Sequence, residues 1–243
     1  MAIKGIVLAG GTGSRLMPLT KVTNKHLLGI GQKPMIYYPI EKFISIGIEE
    51  ILIVTGVEHM GDVVSLLGSG KNFECKFTYK VQDKAGGIAQ ALSLAENFIG
   101  DDLMVVILGD NIFQVNLKEY AQKFEQQKTG ARLLLKQVPD PTRFGVAEVD
   151  GDKVINIEEK PKKPKSDFAV TGIYMYPFEV FELIKTLKPS DRGELEITDV
   201  NNYFVKKGKM KANFLKGFWT DAGTFESLFK ASKLVKEKNH KSE

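Results

Sequence analysis

The sequence predicts an α/β fold: a Rossmann-like mixed, mostly parallel central sheet with helices on both faces, plus a smaller antiparallel portion in the second half of the chain. Three observations predict it. Short apolar, β-branched runs alternate with helical stretches through the first half, as βα units do. Several of those runs end in glycine- or acid-bearing loops, and in open α/β sheets ligands gather beyond the carboxyl ends of strands. After residue 130 the apolar runs shorten, with turns between them instead of helices.

In chain order, Ala2-Ile3-Lys4-Gly5-Ile6-Val7-Leu8 reads as a buried strand that ends abruptly in Ala9-Gly10-Gly11-Thr12-Gly13-Ser14-Arg15. Residues 34–44 read as a helix that starts near Pro34 and bends at Pro39. Residues 51–55 are a second buried strand, and residues 59–67 a short helix ended by Gly68-Ser69-Gly70. Residues 77–81 alternate apolar and polar, as a strand exposed on one face does. Gln82 opens a loop that feeds a helix to about Asn97. Residues 103–108 are the most hydrophobic run and belong at the centre of the sheet. Strands at 131–138, 144–149, 154–158 and 168–175 follow, with turns such as Asp150-Gly151-Asp152 between them. Residues 218–224 read as a tight glycine turn, residues 225–235 as a final amphipathic helix, and residues 236–243 as a frayed tail.

Composition excludes several function classes. A chain of 243 residues with a net charge of +4, its lysines scattered among acids, carries no basic footprint for nucleic acid. No apolar run reaches the roughly 18 residues that span a membrane. The first residues pass directly into strand pattern, so no signal peptide is expected. Cys75 is the only cysteine, which rules out an intramolecular disulfide and makes a cytoplasmic setting the default; its expected role is a small core side chain. His26, His59 and His240 show no metal-ligand spacing.

Three glycines in four positions, Gly10, Gly11 and Gly13, let backbone N–H groups approach a ligand and form a nest for an anion. Arg15 and Lys25 add fixed positive charge, so the stretch reads as a cradle for a nucleoside triphosphate. It is neither a P-loop, since no Gly-Lys-Ser/Thr occurs, nor a dinucleotide fingerprint, since Leu16 occupies the third glycine position. An ordinary glycine-rich turn after a strand is the alternative. Asp110 follows the most hydrophobic strand and Asp221 follows Trp219-Thr220; two carboxylates with phosphate oxygens make the hard-oxygen shell of Mg²⁺. Taken alone, Asp110 would serve equally as a helix cap or turn residue and Asp221 as an Asx-turn. Glu158-Glu159-Lys160-Pro161, read bare, is a solvated turn.

Leu8-Ala9-Gly10-Gly11-x-Gly13-x-Arg15-Leu16-x-Pro18-Leu19-Thr20, followed by Lys25, resembles the signature of the sugar-1-phosphate nucleotidyltransferases. The resemblance runs from Lys4 to about Leu228 and is closest to the thymidylyl-transferring branch. It implies the nucleotide-diphospho-sugar transferase fold as a single domain over 1–243, with a nucleotide-binding half at about 1–130 and a sugar-phosphate half at about 131–225. It also implies dTTP and glucose 1-phosphate as substrates, with UTP or another hexose phosphate as the alternative, and Mg²⁺ as cofactor. Arg15 and Lys25 are then the catalytic charges. Leu8, Gly10, Gly11, Thr12, Gly13 and Asp110 hold the nucleotide, and Gln82 and Gly87 read the base edge. Asp110 and Asp221 hold the metal, while Gly145, Glu159, Lys160, Val170 and Thr171 take the sugar phosphate. Arg192-Gly193-Glu194-Leu195-Glu196 takes a structural role and Trp219 walls the phosphate site. The family implies a homodimer or homotetramer, and deoxysugar and polysaccharide synthesis as its setting. A non-catalytic nucleotide-sensing homologue is a further alternative. The chain departs from the pattern at Asn24-Lys25-His26-Leu27-Leu28-Gly29, where relatives often read Ser-Lys-Gln-Leu-Leu-Pro, and it matches a short form without the family's C-terminal extension.

Overall fold

The computed structural model describes residues 2–127 and 129–239. The chain forms two compact units, each assembled from separated stretches. The glycine-turn unit takes Gly5–Ala85, Ile107–Asn116 and the chain from Gly217 onward; the strand-rich unit takes the residues through Lys4, Gly86–Val106 and Leu117–Lys216.

The glycine-turn unit is built on parallel strands. Strand Ile3–Ala9 pairs with Glu50–Gly56 from Gly5↔Ile51 to Ala9↔Thr55, and Glu50–Gly56 pairs in turn with Lys76–Gln82. Parallel neighbours need crossover connections, and the helices Tyr37–Ile44 and Met60–Leu67 lie in those connections. Ile51–Val54 are fully buried, whereas residues 76–81 alternate exposed and half-buried positions, as their polar alternation predicts, before the buried Gln82. Two short antiparallel ladders complete the unit, Gly29–Ile30 with Lys33–Pro34 and Asn111–Phe113 with Trp219–Asp221. The last helix, Phe225–Asn239, covers them through a core of Ile30, Met35, Ile112, Ala222 and Ala231, with Leu228 and Val235 packed against it.

Three expectations are corrected here. The first helix begins at Tyr37, because Lys33–Pro34 is taken up by its ladder; Pro39 then falls in the first turn, where its missing N–H has no intrahelical partner to lose. Residues 219–221 are a paired strand instead of part of a turn. The final helix continues through residues 236–239, which were expected to fray; residues 240–243 of that tail lie outside the described residues.

In the strand-rich unit the strand order is Leu103–Leu108, Phe168–Tyr176, Ala131–Gln137, Met210–Phe214, Lys153–Glu159, Gly145–Asp150. Met104–Val106 are fully buried, as expected of an interior strand. Phe168–Tyr176 runs antiparallel to Ala131–Gln137, and Gly145–Asp150 antiparallel to Lys153–Glu159. The strand Met210–Phe214, which no sequence pattern singles out, pairs parallel to Ala131–Gln137. Helix Ile197–Lys206 is pinned to Lys153–Glu159 by Asn202, whose amide donates to Ile157 O (2.8 Å) while its carbonyl accepts from Ile157 N (3.2 Å). Among the described residues no helix is long and apolar enough to cross a membrane.

Candidate active site

The glycine turn leaves the carboxyl end of its strand with one face closed and one open. Gly13 sits at φ 63°, ψ 20°, a left-handed conformation that suits glycine. Its carbonyl accepts from Leu16 N (2.9 Å) and Thr20 Oγ1 (2.8 Å), which closes the 3₁₀ turn Ser14–Leu16. A Cβ at Gly10 would stand 2.5 Å from Gln82 Oε1, so glycine here is what lets the buried Gln82 amide close on the turn. On the other side, the space around a Cβ at Gly11 is empty to 4 Å. Gly11, Thr12, Lys25, Gln82 and Asp83 line a cleft of about 390 Å³, within the usual size range of small-molecule sites. Its far wall is Gly56, Val57, Glu58 and His59, none of which the sequence marked as a candidate. The available signal was their position just past a buried strand's carboxyl end.

Asn24 ties this region together. Its amide donates to Ala9 O (3.3 Å) and Thr55 Oγ1 (3.5 Å), and its Oδ1 accepts from His26 N (2.8 Å) and contacts His26 Nδ1 (2.7 Å). The His26 ring is buried against Gly109, where a Cβ would lie 2.7 Å from Cδ2. Burial first, then the neighbouring Lys25 charge, lower its pKa from 6.5 to about 3, so the ring is neutral. With Nδ1–H donating to Asn24, it orients the loop that carries Lys25.

Lys25 Nζ stands 2.5 Å from Asp110 Oδ2, in an ion pair with little solvent exposure. Burial pushes the Asp110 carboxyl upward, but Lys25, His26 and the Lys25 and Asn111 hydrogen bonds outweigh it and hold the pKa at about 2. The other oxygen, Oδ1, accepts from Asn111 Nδ2 (3.1 Å), and Asn111 Oδ1 accepts from Trp219 Nε1 (2.7 Å). Trp219, expected to wall a phosphate site, is buried and braces Asn111 beside Asp110. The ladder pairs Asp221 with Asn111, and Ala222 N donates to Asp110 O (2.8 Å). Asp221 thus ends the ladder that Asp110 immediately precedes, although the two lie 111 residues apart in sequence. Arg15 reaches the same place: a Cβ at Gly223 would lie 2.9 Å from Arg15 Nη2 and 3.3 Å from Asp221 Oδ2.

This donor set fits a hard divalent ion in one specific way. Among the described residues no three His, Cys, Asp or Glu side chains converge as a metal cage. Two carboxylates, one of them held ionised, match an ion such as Mg²⁺ that keeps waters and is completed by substrate phosphates.

The strand-rich unit carries the remaining candidates. Glu159 lies opposite Gly145 in the ladder, and its Oε2 accepts from Thr198 Oγ1 (2.7 Å) on helix Ile197–Lys206. Lys160 Nζ is 3.3 Å from Glu159 Oε1, and Lys160 adopts φ +45°, with its N–H donating to Phe144 O (3.0 Å). A Cβ at Gly145 would stand 3.5 Å from Glu159 Oε2 and 3.6 Å from Val170 Cβ, so Gly145, Glu159 and Val170 surround one small space. Thr171 is fully buried, and its hydroxyl donates to Leu134 O (2.6 Å); any ligand contact there would come from its backbone. Gly87, at φ 97°, packs on Glu194-Leu195: Leu195 N donates to Gly86 O (2.8 Å) and Ala89 N to Leu195 O (3.2 Å). Arg192 Nη2 reaches both oxygens of Glu196 at 2.9 Å and stiffens that block, which suits the structural role expected of it.

A cleft under a glycine turn, lined by the lysine that pairs with Asp110, is an arrangement that suits nucleotidyl transfer, and comparison with known proteins decides the family. The Nucleotidyl transferase family model matches residues 4–238. The chain belongs to this family. This nucleotidyl transferase is 44% identical to a glucose-1-phosphate thymidylyltransferase of Neisseria meningitidis over 96% of its own length and 82% of the relative's. It is 42% identical to one from Xanthomonas campestris, covering 96% of the chain and 80% of that relative. A Bacillus anthracis crystal structure, assigned as a glucose-1-phosphate thymidylyltransferase and solved with a sucrose, shares 61% identity and a TM-score of 0.93, over 96% of this chain and 95% of that one. A UDP-glucose pyrophosphorylase in complex with UDP-glucose superposes with a TM-score of 0.85 at 27% identity, over 98% and 100% of the two chains.

Proposed function

We propose that this nucleotidyl transferase moves a thymidylyl group from dTTP to glucose 1-phosphate, releasing pyrophosphate, in the synthesis of deoxysugars and cell-surface polysaccharide. The activity named for its relatives supports the substrate pair. Support for the chemistry rests on one observation: the ladder of Asn111–Phe113 with Trp219–Asp221, which sets Asp221 beside the Asp110 peptide and Arg15.

In the reaction, a phosphate oxygen of glucose 1-phosphate bonds to the α-phosphorus of dTTP while the bond from that phosphorus to the β-phosphate oxygen breaks. The electron pair leaves with pyrophosphate. The attacking oxygen is already ionised at neutral pH and needs no general base, so the barrier is the repulsion between two anions. Lys25 and Arg15 neutralise triphosphate charge beside the Gly10–Gly13 amides. Gln82 offers both a donor and an acceptor to the base, as the imide edge of thymine requires, with Gly87 as the second base contact. Glu159, held by Thr198, accepts from sugar hydroxyls; Lys160 meets the sugar's phosphate as a point charge. Asp110 and Asp221 would hold Mg²⁺, which when bound supplies further charge neutralisation on phosphate oxygens. We place the enzyme in the cytoplasm as a homodimer or homotetramer, a state that light scattering reads directly.

Pyrophosphate release from a matrix of nucleoside triphosphates and sugar 1-phosphates tests the reading. The dTTP and glucose 1-phosphate pair should exceed every other by about tenfold or more in kcat/KM, the scale on which a pocket discriminates the one methyl group that separates thymine from uracil. Equal rates with UTP would transfer the assignment to a uridylyl donor.

A further inference from the structure

Both oxygens of Asp110 are engaged before any ligand arrives. Asn111 takes Oδ1 and is itself buried and held by Trp219. Lys25 takes Oδ2 at 2.5 Å. Of these two partners only Lys25 can leave easily, because its charge sits on a flexible four-carbon stem and lines the open cleft beside Gly11 and Thr12. An ion reaching Oδ2 with Lys25 in place would meet an ammonium within a few ångströms.

We infer that Lys25 acts as a resident counter-cation on Asp110, so that a divalent ion gains Asp110 only when a triphosphate draws Lys25 away. The inference rests on the reading that Asp110 is a metal ligand. It keeps each charge partnered throughout: Asp110 is paired with Lys25 beforehand, and afterwards Asp110 pairs with the ion and Lys25 with phosphate. No buried charge is left alone, the state that is most unfavourable in a low-dielectric site. Ion and nucleotide therefore enter together, and the free enzyme discriminates against the ion by itself.

Electron paramagnetic resonance of Mn²⁺ at pH 8, without sugar phosphate, reads this directly. In the absence of nucleotide, Lys25→Met and Lys25→Gln should bind Mn²⁺ about tenfold or more tightly than wild type, while Lys25→Arg stays with wild type. Equal affinity in all four proteins overturns the inference. Should neither neutral variant fold, Asp110→Asn decides. It should leave binding of Mn²⁺ alone unchanged and weaken binding of Mn²⁺ with dTTP about tenfold or more. If Asp110→Asn already loses affinity for Mn²⁺ alone, Lys25 does not shield the carboxylate and the inference fails while the metal assignment stands. If Asp110→Asn binds Mn²⁺ with dTTP as wild type does, the metal assignment itself fails.

Discussion

Single side chains in this molecule do what their surroundings allow, and Asp110 is the clearest case. Its carboxyl is buried, yet Lys25, His26 and Asn111 keep it ionised to a pKa of about 2. Asp110→Asn keeps the shape and removes the charge, so turnover should fall at least about a hundredfold while circular dichroism stays native. The same is expected of Asp221→Asn; near-normal turnover at saturating Mg²⁺ would remove that residue from the site. Lys160 is half-exposed and paired with Glu159, a position suited to affinity. Lys160→Ala should raise the KM for glucose 1-phosphate about tenfold, the scale of one charge-assisted hydrogen bond, and change kcat less; an unaltered KM would refute the assignment. At this scale the charged candidates were legible in the sequence because charge after a strand end is itself a signal. Asn24, Asn111 and the Trp219 strut were not. Trp219 meets Asn111 across 108 residues, and nothing in either neighbourhood announces the other.

At the scale of elements, two glycines that look alike in sequence have opposite consequences. A methyl at Gly10 would meet only the end of the Gln82 side chain, whereas at Gly87 it would meet Leu195 O at 2.5 Å with the backbone at φ 97°. Gly10→Ala should therefore leave the urea midpoint nearly unchanged and weaken nucleotide binding, because Gln82 must move. Gly87→Ala should lower stability by about 2–4 kcal/mol, combining a strained φ with a clash against backbone. Equal midpoints for the two variants would show that the Leu195 backbone yields. Strands with continuous apolar runs, such as Glu50–Gly56 and Leu103–Leu108, were legible as elements because burial on both faces leaves no other pattern. Short ladders were not: Asn111–Phe113 and Trp219–Asp221 have three residues each and become strands only through each other. Pro34 shows a competing case, where a helix-start signal lost to a two-residue ladder.

At the scale of the whole molecule, each unit gathers three stretches of chain, so distant segments must be held together by a few central side chains. In the glycine-turn unit His26 is one of them. Through Asn24 it joins Ala9 and Thr55, the ends of two parallel strands, and its ring packs on Gly109 beyond a third. Glutamine in its place would keep the hydrogen bond without titrating. In the folded chain the pKa of His26 is about 3 against 6.5 when exposed, so between those values the unfolded state binds the proton and the folded state does not. Its contribution to stability is complete above about pH 6.5 and is lost progressively as the pH falls toward 3. The depressed Asp110 acts in the same direction but only below its ordinary 3.8, which leaves the interval from pH 7 to 5 to the histidine. Over that interval the unfolding free energy should drop by about 2 kcal/mol more in the wild type than in His26→Gln, since one pKa unit corresponds to roughly 1.4 kcal/mol. Urea titrations of both proteins at pH 5, 6 and 7 measure the difference. Parallel pH profiles would mean that the folded ring accepts the proton in place, and that the joint at Ala9, Thr55 and Gly109 does not depend on a neutral imidazole.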